Sequence, residues 1–279
     1  MRNRYLLTLA LLLSFHSFSQ ARSESAEANG LVDRWFQTVA RTQAEQPHWI
    51  APVFTATARL EQMYVYDISR QNTAKGVLTN FGGGRGLLLI PAEHINLVVT
   101  PPAYLAHENP RIPDGFADLA FLFKYRLAAE NEEGRNYVVT AFVGTTVPTA
   151  ANNNGAPHAV ITPAIGFGKG WDHFEVQSTL GVGLPVRNAS RVGTPVSYNT
   201  AFQYVVLKKI WPEVEINATT FPNGPNRGKT QVFLSPGIVL GKFHLWRRLG
   251  FAVGGGVQIA ATHFHTFNHN RILSLRFPF

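Results

Sequence analysis

From about residue 56 to its end, the chain alternates apolar and polar positions with the period of two that marks a β-strand with one apolar face. Residues 117–127 show the pattern most clearly. Phe121, Phe123 and Tyr125 fall on one face, and Lys124 and Arg126 fall on the other. The same alternation recurs along the rest of the chain. The twelve predicted strands are 59–68, 87–90, 95–100, 117–127, 137–147, 159–169, 174–184, 198–206, 214–220, 232–240, 249–259 and 271–279.

The last of these strands ends the chain on an aromatic residue. Leu275, Phe277 and Phe279 share one face, and Arg276 lies on the other. An exposed apolar edge strand invites aggregation in water, but it is stable if its face meets lipid and its edge pairs with the first strand of a closed barrel. The terminus also resembles the C-terminal sorting signal of bacterial outer-membrane barrels. We therefore predict that Leu275, Phe277 and Phe279 form a signal for the barrel-assembly machinery.

The links between the strands alternate in length, as the long external loops and short periplasmic turns of an outer-membrane barrel do. The predicted external links are 71–84, 101–115, 148–157, 185–195, 221–228 and 260–270. The predicted periplasmic links are 91–94, 128–136, 170–172, 208–212 and 241–247, and most are shorter. A soluble two-sheet sandwich does not predict this alternation. The pattern predicts an all-β chain, a 12-stranded antiparallel transmembrane up-and-down β-barrel that covers residues 55–279.

Residues 1–54 follow a different pattern. A basic start and an apolar run at 5–15 predict a signal peptide over residues 1–21, because the run is too short to span a membrane. Within residues 22–54, apolar side chains recur at helical spacing and predict a short periplasmic helix. Two placements of this segment stay open. It packs against the mouth of the barrel, or it enters the lumen as a plug.

Composition narrows the class of protein. The chain has no cysteine, so it has no disulfide, thiolate metal site or lipid-attachment residue. The formal charge is +8, but no basic run has the density of a nucleic-acid-binding arm, and we expect no nucleic-acid partner. Mean hydropathy is near zero, as in barrels whose outward and inward residues average out. We predict that the processed chain resides in the outer membrane of a Gram-negative cell.

Several short motifs resemble one bacterial family. Residues 115–127 read Gly-Phe-Ala-Asp-Leu-Ala-Phe-Leu-Phe-Lys-Tyr-Arg-Leu, similar to a strand of the outer-membrane transporters of the "MetA pathway of phenol degradation" type. Residues 147–149 resemble the family's Pro-Thr-Gly hairpin start, although Ala150 replaces the glycine. Residues 234–237 resemble its Thr-Pro-Gly strand, and 276–277 its C-terminal Arg-Phe. The resemblance implies a 12-stranded barrel and transport of small compounds, hydrophobic or aromatic ones included.

Charged residues on the inward faces form the first candidate site. Mixed signs in a narrow lumen favour mutual pairing, which would fill and stiffen the barrel, because an unpaired buried charge is costly. The alternative is a polar constriction that gates a channel, and twelve strands do not decide between the two. The predicted lumen charge cluster is Arg59, Glu61, Lys124, Arg126, Glu175, Glu213, Glu215 and Arg276.

Cations at the outer strand ends form the second candidate site. Guanidinium and ammonium groups can hold the phosphates of lipopolysaccharide (LPS), although simple solvation of loops explains them equally well. We expect outer-membrane lipids and LPS as partners beside a small-molecule solute. The LPS-contact candidates are Arg70, Lys75, Arg111, Arg187, Arg191, Arg227 and Lys229, and the wider group of external cations adds Arg85 and Arg271.

Metal and enzyme chemistry have little support. His263 and His265 share a strand face, but no nearby acid orients either ring, so we predict neither a metal nor a cofactor. A lipid hydrolase or acyltransferase needs a nucleophile beside a base, and the nearest pairs are His265–Thr266 and His173–Ser178. Ser178 faces outward in the predicted register. We therefore predict a transporter or channel, with a structural or LPS-interacting barrel as the alternative and an enzyme third.

Overall fold

The computed structural model describes residues 30–279. A helix, α1, covers residues 30–44, and a one-turn helix, α2, covers Ala189–Val192. Over the described residues, no helix is both long enough and apolar enough to cross a membrane. The strands are β1 (Met63–Thr73), β2 (Gly76–Ala92), β3 (Ile95–Thr100), β4 (Tyr104–His107), β5 (Gly115–Phe116), β6 (Leu119–Glu130), β7 (Tyr137–Val147), β8 (Val160–Trp171), β9 (Phe174–Val182), β10 (Leu184–Pro185), β11 (Val196–Tyr204), β12 (Ile210–Thr220), β13 (Thr230–Trp246), β14 (Leu249–Ala260) and β15 (Phe267–Pro278).

These strands form one closed antiparallel barrel. Consecutive crossings pair with each other, and β15 returns to pair with β1, with Phe277 opposite Tyr64 and Leu275 opposite Tyr66. Three crossings are interrupted: β3 and β4 both pair with β2, β5 leads into β6, and β9 and β10 both pair with β8. The wall therefore has twelve crossings, which confirms the predicted fold and the predicted closing seam.

The two faces of the wall have opposite chemistry. On β6, Phe123 and Tyr125 are 42% and 47% exposed, whereas Lys124 and Arg126 between and beyond them are 2% exposed. The same alternation holds along β9, β12 and β15. The outside is therefore apolar and aromatic and the inside polar, which is the reverse of a soluble protein and the arrangement that lipid requires.

The two ends of the barrel differ in their connections. One end carries short turns at 93–94, 172–173 and 247–248, and we call it the inner mouth. The other end carries longer links such as 148–159 and 221–229, and we call it the outer mouth. This alternation confirms the predicted topology except at the first outer link.

That first link is the main departure from the predicted strands. The prediction of a long loop at 71–84 is wrong, because β2 begins at Gly76 and joins β1 through the two-residue turn Ala74–Lys75. The glycines at 82–86 indicate a loop in the sequence, but three of them adopt positive φ inside a bulged strand. The prediction also starts the first strand too early, at residue 59 instead of Met63.

Gly86 gives a test of this bulge. Its φ is +73°, and a Cβ atom there would lie 2.4 Å from the carbonyl oxygen of Val99. We expect Gly86→Ala to destabilise the barrel by about 2–4 kcal/mol, because it combines left-handed strain with a backbone clash. The measurement is the temperature at which folded barrel converts to the slow-migrating form on detergent gels. Gly255→Ala is the control, since a Cβ atom at that position would lie 3.5 Å from the carbonyl oxygen of Ile272, an ordinary van der Waals contact. An unchanged conversion temperature for Gly86→Ala would contradict the bulge geometry.

Candidate functional site

The chain between α1 and β1 runs through the inside of the barrel. We call residues 46–62 the lumen segment. It has no regular secondary structure, yet Ala51, Val53, Ala58 and Leu60 are all 2% exposed or less. Helix α1 stays at the inner mouth, where the indole nitrogen of Trp35 donates to the carbonyl of Ile90 at 2.7 Å. Both placements that the sequence leaves open therefore occur: α1 packs against the mouth of the barrel, and the lumen segment that follows it enters the lumen.

Two wall glutamates accept the backbone N–H groups at the centre of the lumen segment. Oε1 of Glu213 accepts the N–H of Val53 at 2.8 Å. Glu215 accepts the next two, from Phe54 at 2.7 Å and Thr55 at 2.5 Å. An irregular segment cannot satisfy its own backbone donors, so it depends on such side chains once it is buried. The carboxylates take the place of a neighbouring strand.

Wall cations bind the carbonyl groups of the same segment. Arg276 donates to the carbonyl of Pro52 at 2.9 Å, and Arg85 donates to that carbonyl at 2.6 Å and to the following one at 2.7 Å. Nζ of Lys124 donates to the carbonyl of Thr57 at 3.0 Å. Acids and bases on different strands of the wall therefore bind the two kinds of backbone group, which fixes both the position and the direction of the segment.

All eight residues of the predicted lumen charge cluster are buried inside the barrel, but few of them pair with each other. Within residues 30–279, the only ion pair between members is Arg59–Glu61, at 3.4 Å. Arg126 instead pairs with Glu45, just after α1, at 2.7 Å. Arg59 and Glu61 themselves belong to the lumen segment and not to the wall. The cluster is therefore mainly a set of contacts between wall and segment.

A chain of amide side chains runs along the inner wall beside the glutamates, and sequence reasoning did not single it out. Thr57 donates its hydroxyl to Gln177 at 2.6 Å, Gln177 donates to Gln203 at 2.8 Å, and Gln203 donates to Glu213 at 2.7 Å. Uncharged amides on the inward faces of neighbouring strands were the available signal. The prediction of Arg85 as an external cation is wrong, because Arg85 lies inside the barrel and binds the lumen segment. Its glycine-rich surroundings indicate an external loop on sequence grounds.

Two cavities inside the barrel border the lumen segment. The outer cavity has a volume of about 370 Å³ and lies between residues 53–57 and the walls of β1, β2 and β6 to β8. The inner cavity has a volume of about 260 Å³ and opens beside Met63 and Pro278. Glu61 lines both cavities and stands between them.

A further contact holds the lumen segment at the inner mouth. His48 donates its backbone N–H to Glu132 at 2.5 Å, and its ring lies 2.7 Å from the same carboxylate. Burial alone would raise the pKa of Glu132, but the hydrogen bonds from His48 outweigh it and hold this pKa below its ordinary value. The contact is therefore fully present above the ordinary pKa of a glutamate, and it is lost as the pH falls through the lowered value.

The external cations all lie exposed at the outer mouth except Arg85. Arg70 forms an ion pair with Glu108 at 2.5 Å, and Lys229 lies 4.6 Å from the ring centre of Phe264. Lys75 occupies the turn between β1 and β2, and Arg191 lies on α2. They share a mouth without forming one compact cluster, and their role as LPS contacts stays a prediction.

Two of the three histidine candidates, His265 and His173, contact protein groups. The two ring nitrogens of His265 lie 2.9 Å from the carbonyl of Thr262 and 2.7 Å from Oδ1 of Asn268. His173 contacts Asp172, whereas the Ser178 hydroxyl contacts Thr200. Across residues 30–279, no three His, Asp or Glu side chains gather as metal ligands would.

The closing seam carries the assembly prediction. The backbone N–H of Phe279 donates to the carbonyl of Gln62 at 3.3 Å, so Phe279 contacts the residue that immediately precedes β1. We expect deletion of Phe279 to lower the yield of membrane-inserted barrel severalfold before any activity changes, because the seam and the predicted assembly signal both lose their end. The measurement is the folded fraction in isolated membranes. Phe221→Ala, in an outer link, serves as the control, and normal insertion without Phe279 would contradict the prediction.

A closed barrel with an apolar outside and a polar, occupied inside defines a transmembrane β-barrel of twelve crossings. No protein-family model and no curated protein sequence matches the chain. Solved structures do. The NanC porin has a TM-score of 0.50 at 6% identity, over 77% of this chain and 98% of the porin chain. An outer-membrane channel from Pseudomonas putida F1 has a TM-score of 0.51 at 16% identity, over 82% of this chain and 98% of that one.

The barrel thus resembles outer-membrane channel proteins in fold. The resemblance that the sequence motifs indicate, to outer-membrane transporters of the MetA type, agrees with these neighbours. At such low identities the likeness concerns the fold alone, so the residues of the lumen carry the argument about function.

Proposed function

We propose that the chain is an outer-membrane channel for small compounds, hydrophobic or aromatic ones included, and that the lumen segment is its closing element. The observation that carries the proposal is the pair of cavities that meet at Glu61. Together they mark a route from the outer to the inner mouth, interrupted by residues 46–62. A barrel with a purely structural role has no need of such a route.

The way in which the lumen segment is held supports reversible closure. The glutamate and arginine contacts join wall side chains to segment backbone, and water can replace each of them when the segment moves. The ladder between the strands does not involve the segment, so its displacement leaves the closed wall intact. Closing and opening can therefore occur without unfolding the barrel.

The lining of the outer cavity supports small and mainly apolar solutes. Leu88, Val98, Leu122 and Ile272 contribute wall surface, and Phe54 contributes surface from the lumen segment. Cavities that bind small molecules commonly combine such apolar walls with a few polar groups. The aromatic residues on the outside of the barrel face lipid and do not form a solute path.

Conductance across planar bilayers tests the proposal. We expect purified barrel to show discrete single-channel openings, and Lys124→Glu to change both their frequency and their ion preference, because a carboxylate would face the carbonyl of Thr57. Lys208→Glu, in a turn at the inner mouth, makes the same charge change away from the lumen segment. Bilayers that stay silent with folded barrel would overturn the channel and favour a structural role.

An outer-membrane lipid-modifying enzyme remains the competing activity to measure. Such an enzyme would release fatty acid from outer-membrane lipids and lose that activity in His265→Ala. We expect no release from either protein, because His265 already contacts Thr262 and Asn268. Release that depends on His265 would replace the channel proposal.

At the outer mouth, we propose that the seven LPS-contact candidates bind lipid A and core phosphates. Their exposure and their common end of the barrel support this. Arg187→Gln combined with Arg191→Gln should weaken binding of LPS micelles, and the exposed Lys208→Gln at the inner mouth should not.

A further inference from the structure

The outer cavity concentrates polar atoms that have no hydrogen-bond partner. Within residues 30–279, ten buried side-chain atoms lack a partner, and four of them belong to residues that line this cavity. They are Oε2 of Glu61, Oδ1 of Asp67, Nη1 of Arg85 and Oγ1 of Thr146. A buried polar group without a partner is costly, so a cavity with four of them favours an occupant that supplies the missing hydrogen bonds.

The charges that line the cavity cancel. Glu61 and Asp67 contribute two negative charges, and Arg85 and Lys124 contribute two positive ones. A charged occupant would leave one sign in excess at a site with little water, and the desolvation of its own charge would add to the cost. The balance therefore favours an uncharged molecule.

The unpartnered atoms also define the polar group of that molecule. The carboxylates of Glu61 and Asp67 need a hydrogen-bond donor, whereas the guanidinium of Arg85 needs an acceptor. A hydroxyl group supplies both functions in one atom. The threonine hydroxyls of the wall, such as Thr100 and Thr146, can adapt to either role.

The size and the lining of the outer cavity define the non-polar part of the occupant. A volume of about 370 Å³ lies at the small end of the range for ligand sites, roughly 300–1,000 Å³. Most of the wall surface is aliphatic, as at Leu88, Val98, Leu122 and Ile272. A compact hydrocarbon body with one or two hydroxyl groups matches both features.

We propose that the outer cavity is a binding site for uncharged, compact alcohols with an apolar ring or branched body. This proposal rests on the proposed channel function. In that channel, the outer cavity is the first binding site that a solute reaches from the outer mouth. Phe54 and Thr57 line it from the lumen segment, so a bound alcohol contacts the closing element directly.

Calorimetric titration of the full barrel in detergent tests the site. Cyclohexanol is the probe, and cyclohexanecarboxylate and cyclohexylammonium are its anionic and cationic counterparts of similar size. We expect saturable binding of cyclohexanol at one site and binding at least about tenfold weaker for both ions. Equal binding of an ion, or no saturable heat with cyclohexanol, would overturn the proposal.

Substitutions in the cavity distinguish cyclohexanol binding at this site from its partition into the detergent micelle. Leu122→Trp, or Ala120→Leu if the larger side chain prevents folding, should abolish binding because it fills the cavity. Asp67→Asn should weaken binding at least about tenfold, since it removes a charge-assisted acceptor. Thr179→Val, on β9 and outside the cavity, is the control and should bind like the parent protein. Unchanged binding by the cavity-filling variant would place the heat elsewhere and overturn the site.

The failure of this inference is distinct from the failure of the channel. Conductance in bilayers without cyclohexanol binding would refute the site and leave the channel. Saturable binding that Asp67→Asn weakens, in a barrel that never conducts, would support the site and refute the channel.

Discussion

We expect Glu215→Gln to raise the open probability of the barrel in planar bilayers by about ten- to a hundredfold. Glu215 accepts two consecutive backbone N–H groups, from Phe54 and Thr55. Glutamine has one acceptor oxygen, so its NH₂ group would face one of these donors. The loss of a hydrogen bond to a charged group costs about 1.5–3 kcal/mol, and each 1.4 kcal/mol changes an equilibrium tenfold.

The control is a matched change of charge. Glu133 lies exposed in a turn at the inner mouth, so Glu133→Gln removes one negative charge without touching the lumen segment. Glu133→Gln should leave the open probability unchanged. Openings of Glu215→Gln as rare as those of the parent protein, in a barrel with normal thermal stability, would show that the glutamate contacts do not govern closure.

Arg276→Met should also open the channel, and it should change the ion preference in the opposite direction from Glu215→Gln. Arg276 is 1% exposed and contacts the carbonyls of Ala51 and Pro52. Methionine keeps much of the volume but donates no hydrogen bond, so the buried carbonyl of Ala51 loses its charged partner at about 1–3 kcal/mol, whereas the carbonyl of Pro52 keeps Arg85. We expect openings at least about tenfold more frequent and a shift of the reversal potential toward cation preference, because the lumen loses a positive charge.

Arg271→Met provides the comparison on the same strand. Arg271 is exposed near the outer mouth, opposite Arg70 in the register of β1 and β15. Its substitution should change neither opening nor reversal potential. If Arg271→Met and Arg276→Met shifted the reversal potential equally, the effect would arise from overall charge and not from the lumen.

Strand alternation explains why the barrel could be predicted. An inward polar and an outward apolar residue at every second position is a local property, and it identifies β6, β9 and β12 whatever their partners are. Closure by the last strand follows for the same reason, because Leu275 and Phe277 cannot face water. Local pattern could not place the first outer turn, since glycines at 82–86 mark loops and strand bulges equally.

The lumen segment shows the limit of sequence reasoning at the site. The helix that precedes it, α1, shows a clear period in the sequence, and the inward position of Glu213 and Glu215 follows from the alternation of β12. Their partners do not follow, because those partners are backbone N–H groups, which every residue except proline carries. The sequence therefore favours a mutually paired cluster, with a polar constriction as the alternative, where the structure has side chains bound to the main chain of the lumen segment.

The signal-peptide prediction for residues 1–21 lies outside the described residues, and so does the start of the predicted periplasmic segment, at 22–29. From residue 30 onward, α1 contacts the inner mouth through Trp35 and Arg41, which forms an ion pair with Glu93 at 2.7 Å. These contacts anchor α1 at the inner mouth, and the lumen segment that follows it therefore enters the barrel from that end.

The central claim is that the lumen segment closes the channel, and a reversible covalent bond tests it most directly. A Cβ atom at Gly254 would lie 3.3 Å from Cγ2 of Val53, close enough for a disulfide between cysteines at these two positions. The chain has no cysteine of its own, so Val53→Cys with Gly254→Cys would form the only disulfide. Each single variant, treated with the same oxidant and reductant, is the control.

The measurement is single-channel conductance of the double-cysteine barrel before and after reduction in the bilayer chamber. If the lumen segment closes the channel, the oxidised barrel is silent and reduction restores the openings of the parent protein. An oxidised barrel with a proven cross-link that conducts as the reduced one does would contradict the account.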